Sequence, residues 1–245
     1  MPIKAALQHA GLAAYGAVAR TRIIKQPWAR HLFVAAYSVY KTWIESGPVD
    51  RLKDFVARGS TVVDVEANVG FFTLKFASWV GERGQVIAIE PDLETFDTLA
   101  ARLGAAGLGQ RVRLHHAAAA AAPGHVYLRR NELHPGDHRI ALSGGSIAVQ
   151  AVTVDDLVAA AGAGSVSLIK IDVQGAEMLV LAGAERTLEK TRPALFVEID
   201  DDALLAFGSS ASALVAHVEG AGYAMYELAK DGLPASCRRL VFLRG

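Results

Sequence analysis

The sequence predicts an α/β fold of the Rossmann-like type with a mostly parallel sheet, and three observations support this prediction. From Thr61 onward, short apolar runs alternate with segments that have the composition of helices. The apolar runs are continuous, as in strands buried on both faces, and their alternation with helices favours parallel pairing. Near the C terminus, two further runs flank a turn sequence at 230–232, which predicts an antiparallel hairpin at the end of the sheet.

The predicted elements follow from these patterns in chain order. The first strand is rich in β-branched residues, and Pro193 introduces the fifth. The predicted strands are 61–65, 85–89, 111–115, 167–171, 194–199, 223–228 and 239–243. The predicted helices of this part of the chain are 71–80, 93–103, 175–189 and a helix from Ser210 to Glu219.

The chain is predicted to consist of two parts. Residues 1–58 form an N-terminal helical extension, because Phe33, Tyr37, Tyr40 and Ile44 have helical spacing and a further helix is expected at 49–58. Residues 59–245 form the α/β domain. Within it, 124–150 breaks the alternation and is rich in Gly, His, Arg and Asp, which predicts an inserted hairpin or lid over the ligand crevice.

Composition narrows the classes of partner. Twenty-five basic residues balance twenty-five acidic ones, so no basic surface for nucleic acid is expected. No apolar run approaches the ~18 residues of a membrane span. The N-terminal segment reads as an amphipathic helix and not as a signal peptide, because Gln8 and His9 interrupt it. With Cys237 as the single cysteine, a cytoplasmic location is expected. Oligomeric state stays open, a homodimer included.

The segment VVDVEANVGFFTL, residues 62–74, has the form of a cofactor loop. A strand leads through a tight turn into a helix whose free N–H groups face the ligand. Turn-tolerant residues at alternate positions are typical of S-adenosylmethionine-dependent methyltransferases. A nicotinamide-dependent oxidoreductase is the disfavoured rival, because the wider G-x-G-x-x-G spacing is missing.

Individual residues of the loop suit cofactor binding. Asn68 tolerates a left-handed backbone, and Gly70 admits close approach of the cofactor or of a strand. Asp64 can orient the loop or accept from the methionine ammonium. Glu90, which ends the second strand, can accept both ribose hydroxyl hydrogens. The full predicted cofactor set is Asp64, Glu66, Ala67, Asn68, Gly70, Phe71, Phe72, Glu90, Pro91, Ala117 and Asp172.

The sequence resembles the FkbM family of methyltransferases. The resemblance rests on DVEANVGFFTL (64–74), IEPD (89–92), GDHRI (136–140), TVDDL (153–157), LIKIDVQGAE (168–177) and PALFVEID (193–200), of which LIKIDVQGAE is the most specific. It implies a class I methyltransferase fold, S-adenosylmethionine as cofactor, and O-methylation of a hydroxyl on a sugar, polyketide or other natural product. The expected partner is therefore a small-molecule or glycan hydroxyl acceptor.

One residue departs from the family pattern D-V-G-A-N-x-G, because Glu66 stands at the first glycine. A buried carboxylate at this position has to be paired or solvated. It can pair with the ammonium or sulfonium of the cofactor, or it can block the pocket. The second outcome gives the alternative function, a non-catalytic methyltransferase-fold binding protein.

Three residues are candidates for the catalytic role. Asp172 ends the fourth strand, where it can contact the substrate or cap the next helix. Glu177 lies in the first turn of that helix and is either a site residue or a charge stabilised by the helix dipole. His138 is the histidine placed best to act as a base, or else a solvated loop residue. Asp172, Glu198 and Asp200 end neighbouring strands and could offer oxygen ligands to Mg²⁺, but no compact ligand motif is present and no metal is expected.

Overall fold

The computed structural model describes residues 49–129, 139–141, 147–229 and 237–244. Most of the predicted N-terminal extension lies outside these residues. The predicted turn at 230–232 and His138 lie outside them as well.

The described strands form two sheets. They are β1 Thr61–Val65, β2 Gln85–Glu90, β3 Val112–His116, β4 Ala118–Ala119, β5 Gly124–Arg129, β6 Arg139–Ala141, β7 Ile147–Val152, β8 Val166–Ile171, β9 Ala194–Asp200, β10 Tyr223–Ala229 and β11 Cys237–Arg244. The main sheet has seven strands in the order β10-β11-β9-β8-β1-β2-β3. Every predicted strand is present in it, with ends within two residues of those expected.

The main sheet is parallel except at one edge. β1 pairs with β2 and β8, β2 with β3, and β8 with β9, all in parallel. β11 pairs antiparallel with β9 and with β10, so the predicted C-terminal hairpin is confirmed. Five of the strands provide continuous apolar surfaces to the core because helices cover both faces of the sheet. The mostly parallel Rossmann-like class is thereby confirmed.

The described helices connect these strands. They are a 3-10 helix Arg51–Phe55, α1 Phe71–Val80, α2 Leu93–Ala105, α3 Val154–Ala160, α4 Glu177–Ala182, α5 Glu185–Thr191, α6 Asp201–Ala206 and α7 Ala211–Gly220. α1, α2 and α7 agree with prediction. The helix expected at 49–58 ends early, because Val56 already has an extended backbone. α3 and α6 were not predicted.

The single helix predicted at 175–189 is wrong, because the chain forms α4 and α5 there. Asp155 provides the physical reason. Its N–H donates to the Gly183 carbonyl at 2.9 Å, and its carboxylate accepts from the Thr187 N–H at 2.8 Å. These two bonds replace the helical bond that would join residues 183 and 187. A continuous helix would need those same two groups.

The segment predicted as an inserted hairpin contributes most of a second sheet. The four strands of this second sheet have the order β4-β7-β5-β6. β5 pairs antiparallel with both β6 and β7, while β4 pairs parallel with β7. A small apolar core that includes Val126, Leu128 and Val149 lies beneath it. The lid role stays a prediction.

No helix among the residues described is both long enough and apolar enough to span a bilayer.

Candidate active site

The site lies where the order of the main sheet reverses. The chain runs outward from β1 through β2 to β3, and then returns to place β8 on the other side of β1. Ligands of open α/β sheets bind at the carboxyl ends of the strands at such a reversal. Val65, the last residue of β1, is paired with Ile171, the last residue of β8. The residues that follow these two strands therefore face each other.

The loop after β1 has an unusual backbone. Glu66, Asn68 and Gly70 have positive φ values of 54°, 51° and 86°. The Ala67 N–H donates to the Ile89 carbonyl at 3.0 Å, which ties the loop to β2. The three alternate positions of the loop, of which the sequence marks Asn68 and Gly70 as tolerant, thus all adopt left-handed conformations. For Glu66 this conformation is unfavourable, because its Cβ crowds the following carbonyl.

Glu90 is fixed between the loop and the start of the next helix. Its Oε2 accepts from the Asn68 N–H at 2.8 Å, and its Oε1 accepts from the Asp92 N–H at 2.9 Å. Burial raises the pKa of Glu90 to about 7, although these two bonds lower it in part. Each oxygen keeps a second lone pair. The carboxylate can therefore accept two further hydrogen bonds, as the predicted ribose contact requires.

Lys170 connects β8 to the loop after β1, and sequence reasoning missed it. Its Nζ donates to the carbonyls of Val65 at 3.1 Å and Glu66 at 2.7 Å. The same Nζ lies 3.4 Å from Asp64 Oδ1 and 3.7 Å from Asp172 Oδ2. Because Lys170 is buried, its charge loses contact with water, and these contacts offset that desolvation cost.

Asp64 orients this network from within β1. Its side chain is fully buried, and its Oδ2 accepts from Thr73 Oγ1 at 2.6 Å. Burial raises its pKa, while Lys170 and Thr73 lower it. These contacts are consistent with the predicted role of Asp64 in orienting the loop. Direct contact of Asp64 with a cofactor stays a prediction.

Glu66 points its side chain into a cavity at this edge of the sheet. The cavity has a volume of about 130 Å³, and its lining includes Phe72, Asp172, Gln174 and Glu198 besides Glu66. Glu66 Oε1 is buried and has no hydrogen-bond partner among the described residues. Burial raises the pKa of Glu66 well above 4.5, and the nearby Glu90 and Asp172 raise it further.

The predicted cofactor residues divide into two groups around this cavity. One group lines it, namely Glu66, Ala67, Asn68, Phe71, Phe72 and Asp172. The other group stands behind or beside the lining, namely Asp64, Gly70, Glu90, Pro91 and Ala117. In that second group, Ala117 donates its N–H to the Glu90 carbonyl at 3.3 Å, and the Pro91 carbonyl lies 3.1 Å from His116 Nε2. Their cofactor roles stay predictions.

The catalytic candidates differ in position. Asp172 lines the cavity with 22% of its side chain exposed. Glu177 does not line it: its Oε1 accepts from the Gly175 N–H at 3.0 Å, before the start of α4. Burial raises the pKa of Glu177 to about 7. His138 lies outside the described residues, so the structure does not place it.

The three candidate metal ligands lie in two different environments. Asp172 and Glu198 both line the cavity. Asp200 instead caps α6, because its Oδ1 accepts from the N–H groups of Asp202 at 3.0 Å and Ala203 at 3.4 Å. Within the described ranges, no group of three or more His, Cys, Asp or Glu side chains is arranged to hold a metal ion.

Two further residues were not singled out from the sequence. Arg102, on α2, donates from its guanidinium to the Val69 carbonyl and so connects α2 to the loop after β1. Gln174 has a φ of 51° and lines the cavity. The signal for Lys170 was present, since a lysine interrupts the otherwise apolar strand LIKI. No comparable signal marks Arg102.

A larger cavity lies at the opposite edge of the sheet. Its volume is about 580 Å³, and it is lined by residues at the amino ends of the strands and in the preceding loops, including Thr61, Gly84, Gln85 and Ser165. Its size alone would favour it as a binding site. The carboxyl edge is nevertheless the better candidate, because the reversal in strand order and the buried charged groups are both there.

The strand order, the antiparallel edge and the acid-ended second strand define a class I methyltransferase fold. The chain belongs to the FkbM methyltransferase family, because the family model described as Methyltransferase FkbM domain matches residues 64–225, more than half of the chain. The resemblance inferred from the sequence is confirmed.

Two individual proteins illustrate this similarity. The chain is 38% identical over 77 residues to the 2-O-methyltransferase NoeI of Sinorhizobium fredii, a match that covers 31% of each protein. Its fold is similar to that of a methyltransferase FkbM from Methylobacillus flagellatus, with a TM-score of 0.55 at 19% identity. That match covers 76% of this chain and 44% of the other. The chain thus spans less than half of the length of either protein in these matches.

Proposed function

We propose that this protein is an S-adenosylmethionine-dependent O-methyltransferase that acts on a hydroxyl of a small molecule or glycan. The observation that carries the proposal is Glu90. Its two carboxylate oxygens are held by the N–H groups of Asn68 and Asp92, beside the loop that follows β1. Membership of the FkbM methyltransferase family supports the reaction type, and the name of NoeI supports oxygen as the methyl acceptor.

The residues of the site fit the cofactor. Glu90 would accept from the ribose hydroxyls, while the loop from Glu66 to Gly70 would lie along the methionine part. The carboxylates of Glu66, Asp172 and Glu198 line the cavity and suit a ligand that carries positive charge. When bound, the cofactor supplies a methyl group on a positively charged sulfur, which is an electrophile.

The protein's own contribution to methyl transfer is mainly alignment. A fixed loop and the aromatic side chains of Phe71 and Phe72 restrict the position of a ligand and exclude water from one side of it. Asp172 is the described candidate for accepting the hydroxyl proton, because it lines the cavity and is partly exposed. His138 remains the second candidate for this role.

Calorimetric titration of the full-length protein with S-adenosylmethionine and S-adenosylhomocysteine tests whether the protein binds the proposed cofactor. Wild-type protein is expected to bind both ligands. Glu90→Gln should weaken both affinities by about 10- to 100-fold, because charge-assisted hydrogen bonds contribute about 1.5–3 kcal/mol. The exposed Glu189→Gln is the matched control and should bind like wild type. Failure of the wild-type protein to bind either ligand would overturn the proposal.

Transfer itself is measured with methyl-labelled S-adenosylmethionine and a panel of hydroxylated glycans and small molecules. Label should appear in at least one acceptor in the presence of the wild-type protein, and Asp172→Asn should lower the rate more than the affinity for the cofactor. Binding without transfer to any hydroxyl acceptor would favour the non-catalytic alternative, for which the comparisons give no support.

A further inference from the structure

Glu66 is costly to the protein in two ways. Its backbone is left-handed at φ 54°, a conformation that glycine adopts far more readily. Its Oε1 atom is buried and has no hydrogen-bond partner among the described residues. A side chain with both costs at a cavity wall calls for a physical reason.

The position of Glu66 is fixed by its own main chain. Lys170 Nζ donates to the Glu66 carbonyl at 2.7 Å, and the next residue, Ala67, donates to the Ile89 carbonyl at 3.0 Å. The single peptide group that follows Glu66 is therefore tied on one side to β8 and on the other to β2. Main-chain hydrogen bonds therefore determine that the side chain lines the cavity, and no hydrogen bond to Oε1 from a described residue contributes.

The charges around the carboxylate are mostly of its own sign. Glu90, Asp172 and Glu177 all raise the pKa of Glu66, and Lys170 alone of the named neighbours lowers it. The charge of Lys170 is shared among Asp64, Asp172 and two carbonyls. An additional positive charge in the cavity would therefore lower the energy of an ionised Glu66.

We propose that Glu66 is a specificity-determining contact for a cationic group on the methionine part of the cofactor. The inference rests on the proposed function and assigns a favourable role to the residue that replaces the family's first glycine. The cofactor carries two such groups, the α-ammonium and the sulfonium. S-adenosylhomocysteine keeps the ammonium and lacks the sulfonium charge, so the two ligands together identify which group Glu66 contacts.

The test is calorimetric titration of full-length wild-type, Glu66→Gln and Glu66→Gly proteins with three ligands. The third ligand is 5′-methylthioadenosine, which has the adenosine part and neither cation. Both variants should bind S-adenosylmethionine at least about tenfold more weakly than wild type. Binding of 5′-methylthioadenosine should change by less than about twofold, because its contacts do not involve the removed charge.

The pattern across ligands identifies the contact. A similar loss for S-adenosylmethionine and S-adenosylhomocysteine supports the inference with the ammonium as the partner of Glu66. A loss confined to S-adenosylmethionine supports it with the sulfonium as the partner. Glu189→Gln is the matched control for removal of a carboxylate elsewhere and should leave all three affinities unchanged.

Three other outcomes overturn the inference. Tighter binding of S-adenosylmethionine by Glu66→Gly would mean that the side chain obstructs the cavity. An equal loss for all three ligands would mean that the variants disturb the loop as a whole, and unchanged affinities would mean that no cation contacts Glu66. In these cases wild-type or variant protein still binds the cofactor, so the proposed function stands. If no variant and no wild-type protein binds any of the ligands, the proposed function fails as well.

Discussion

The two edges of the main sheet differ in size of cavity and in charge. The amino edge has the larger cavity, about 580 Å³, and the carboxyl edge the smaller, about 130 Å³. At the amino edge, contacts between strand ends include neutral ones: Ser60 Oγ and Ser167 Oγ lie 2.6 Å apart, and Gln85 Nε2 donates to Thr61 Oγ1 at 3.2 Å. Such contacts hold the ends of strands together and need no ligand. Arg83, the charged residue in the described lining of the cavity at this edge, is basic and not acidic.

At the carboxyl edge the polar contacts involve buried charges. The described carboxylates whose pKa is raised all lie there, namely Asp64, Glu66, Glu90 and Glu177. Burying a charge costs free energy, and folding alone does not require charged groups to be buried at this edge. The difference between the edges favours the carboxyl edge as the candidate site because charged groups are buried there, although its cavity is the smaller one. The predictions below test that difference, from the largest expected effect to the smallest.

The largest effect is expected from Lys170, at the carboxyl edge of β8. Lys170→Met should lower the free energy of unfolding by about 3–5 kcal/mol, because it leaves the buried carboxylate of Asp64 without its ion-pair partner. Ser167→Ala, near the amino end of the same strand, removes a neutral hydrogen bond and should cost only about 1 kcal/mol. Urea denaturation followed by circular dichroism measures both.

A double variant keeps this prediction testable if Lys170→Met does not fold. Asp64→Asn combined with Lys170→Met removes both charges and should be more stable than Lys170→Met alone. Equal costs for Lys170→Met and Ser167→Ala would contradict the contrast between the two edges.

A second effect concerns the dependence of stability on pH. The folded protein raises the pKa of Glu177 from 4.5 to about 7 through burial, so between these values it holds a proton that the unfolded chain releases. The free energy of unfolding should therefore fall as the pH rises from about 4.5 to about 7, by at most about 3 kcal/mol for this group. Glu90, with its pKa also raised to about 7, adds a fall of the same sign.

Glu177→Gln isolates the contribution of one carboxylate. Its amide oxygen can still accept from the Gly175 N–H, but the group no longer titrates. Stability measured at several pH values should fall less steeply with pH in this variant than in wild type. The exposed Glu189→Gln should leave the slope as it is. A slope that Glu177→Gln does not reduce would show that Glu177 is not protonated in the fold near neutral pH.

The sequence predicted the fold and part of the site. The main-sheet strands were predictable because continuous apolar runs such as VIAI in β2 indicate burial on both faces. Glu90 was predictable because its place at the end of a strand, 20 residues beyond the loop glycine, is a local pattern. The division of 175–189 into two helices was not predictable, because it depends on Asp155, which is distant in sequence and adjacent only in the fold.

The contacts of Lys170 were unpredictable for the same reason. The lysine is visible within an apolar strand, but its partners at Asp64, Val65 and Glu66 are more than 100 residues away along the chain. Only the pairing of β1 with β8 brings them together. Sequence patterns thus identified the residues at the strand ends, and the topology determined which of them share a charge.

The smallest effect compares one left-handed position at each edge. Without ligand, Glu66→Gly should raise the free energy of unfolding by about 1 kcal/mol. Glycine adopts a φ of 54° at lower cost than glutamate, and the variant removes a buried carboxylate oxygen that has no hydrogen-bond partner among the described residues. Gly162, at the amino edge, has a φ of 62°, and a Cβ there would meet nothing within 4 Å. Gly162→Ala should therefore lower stability by about 1 kcal/mol through backbone strain alone. Denaturation of both variants without ligand measures these two changes in the free energy of unfolding. A loss of stability in Glu66→Gly would mean that the glutamate stabilises the fold, and would contradict the view that it lowers stability in favour of ligand binding.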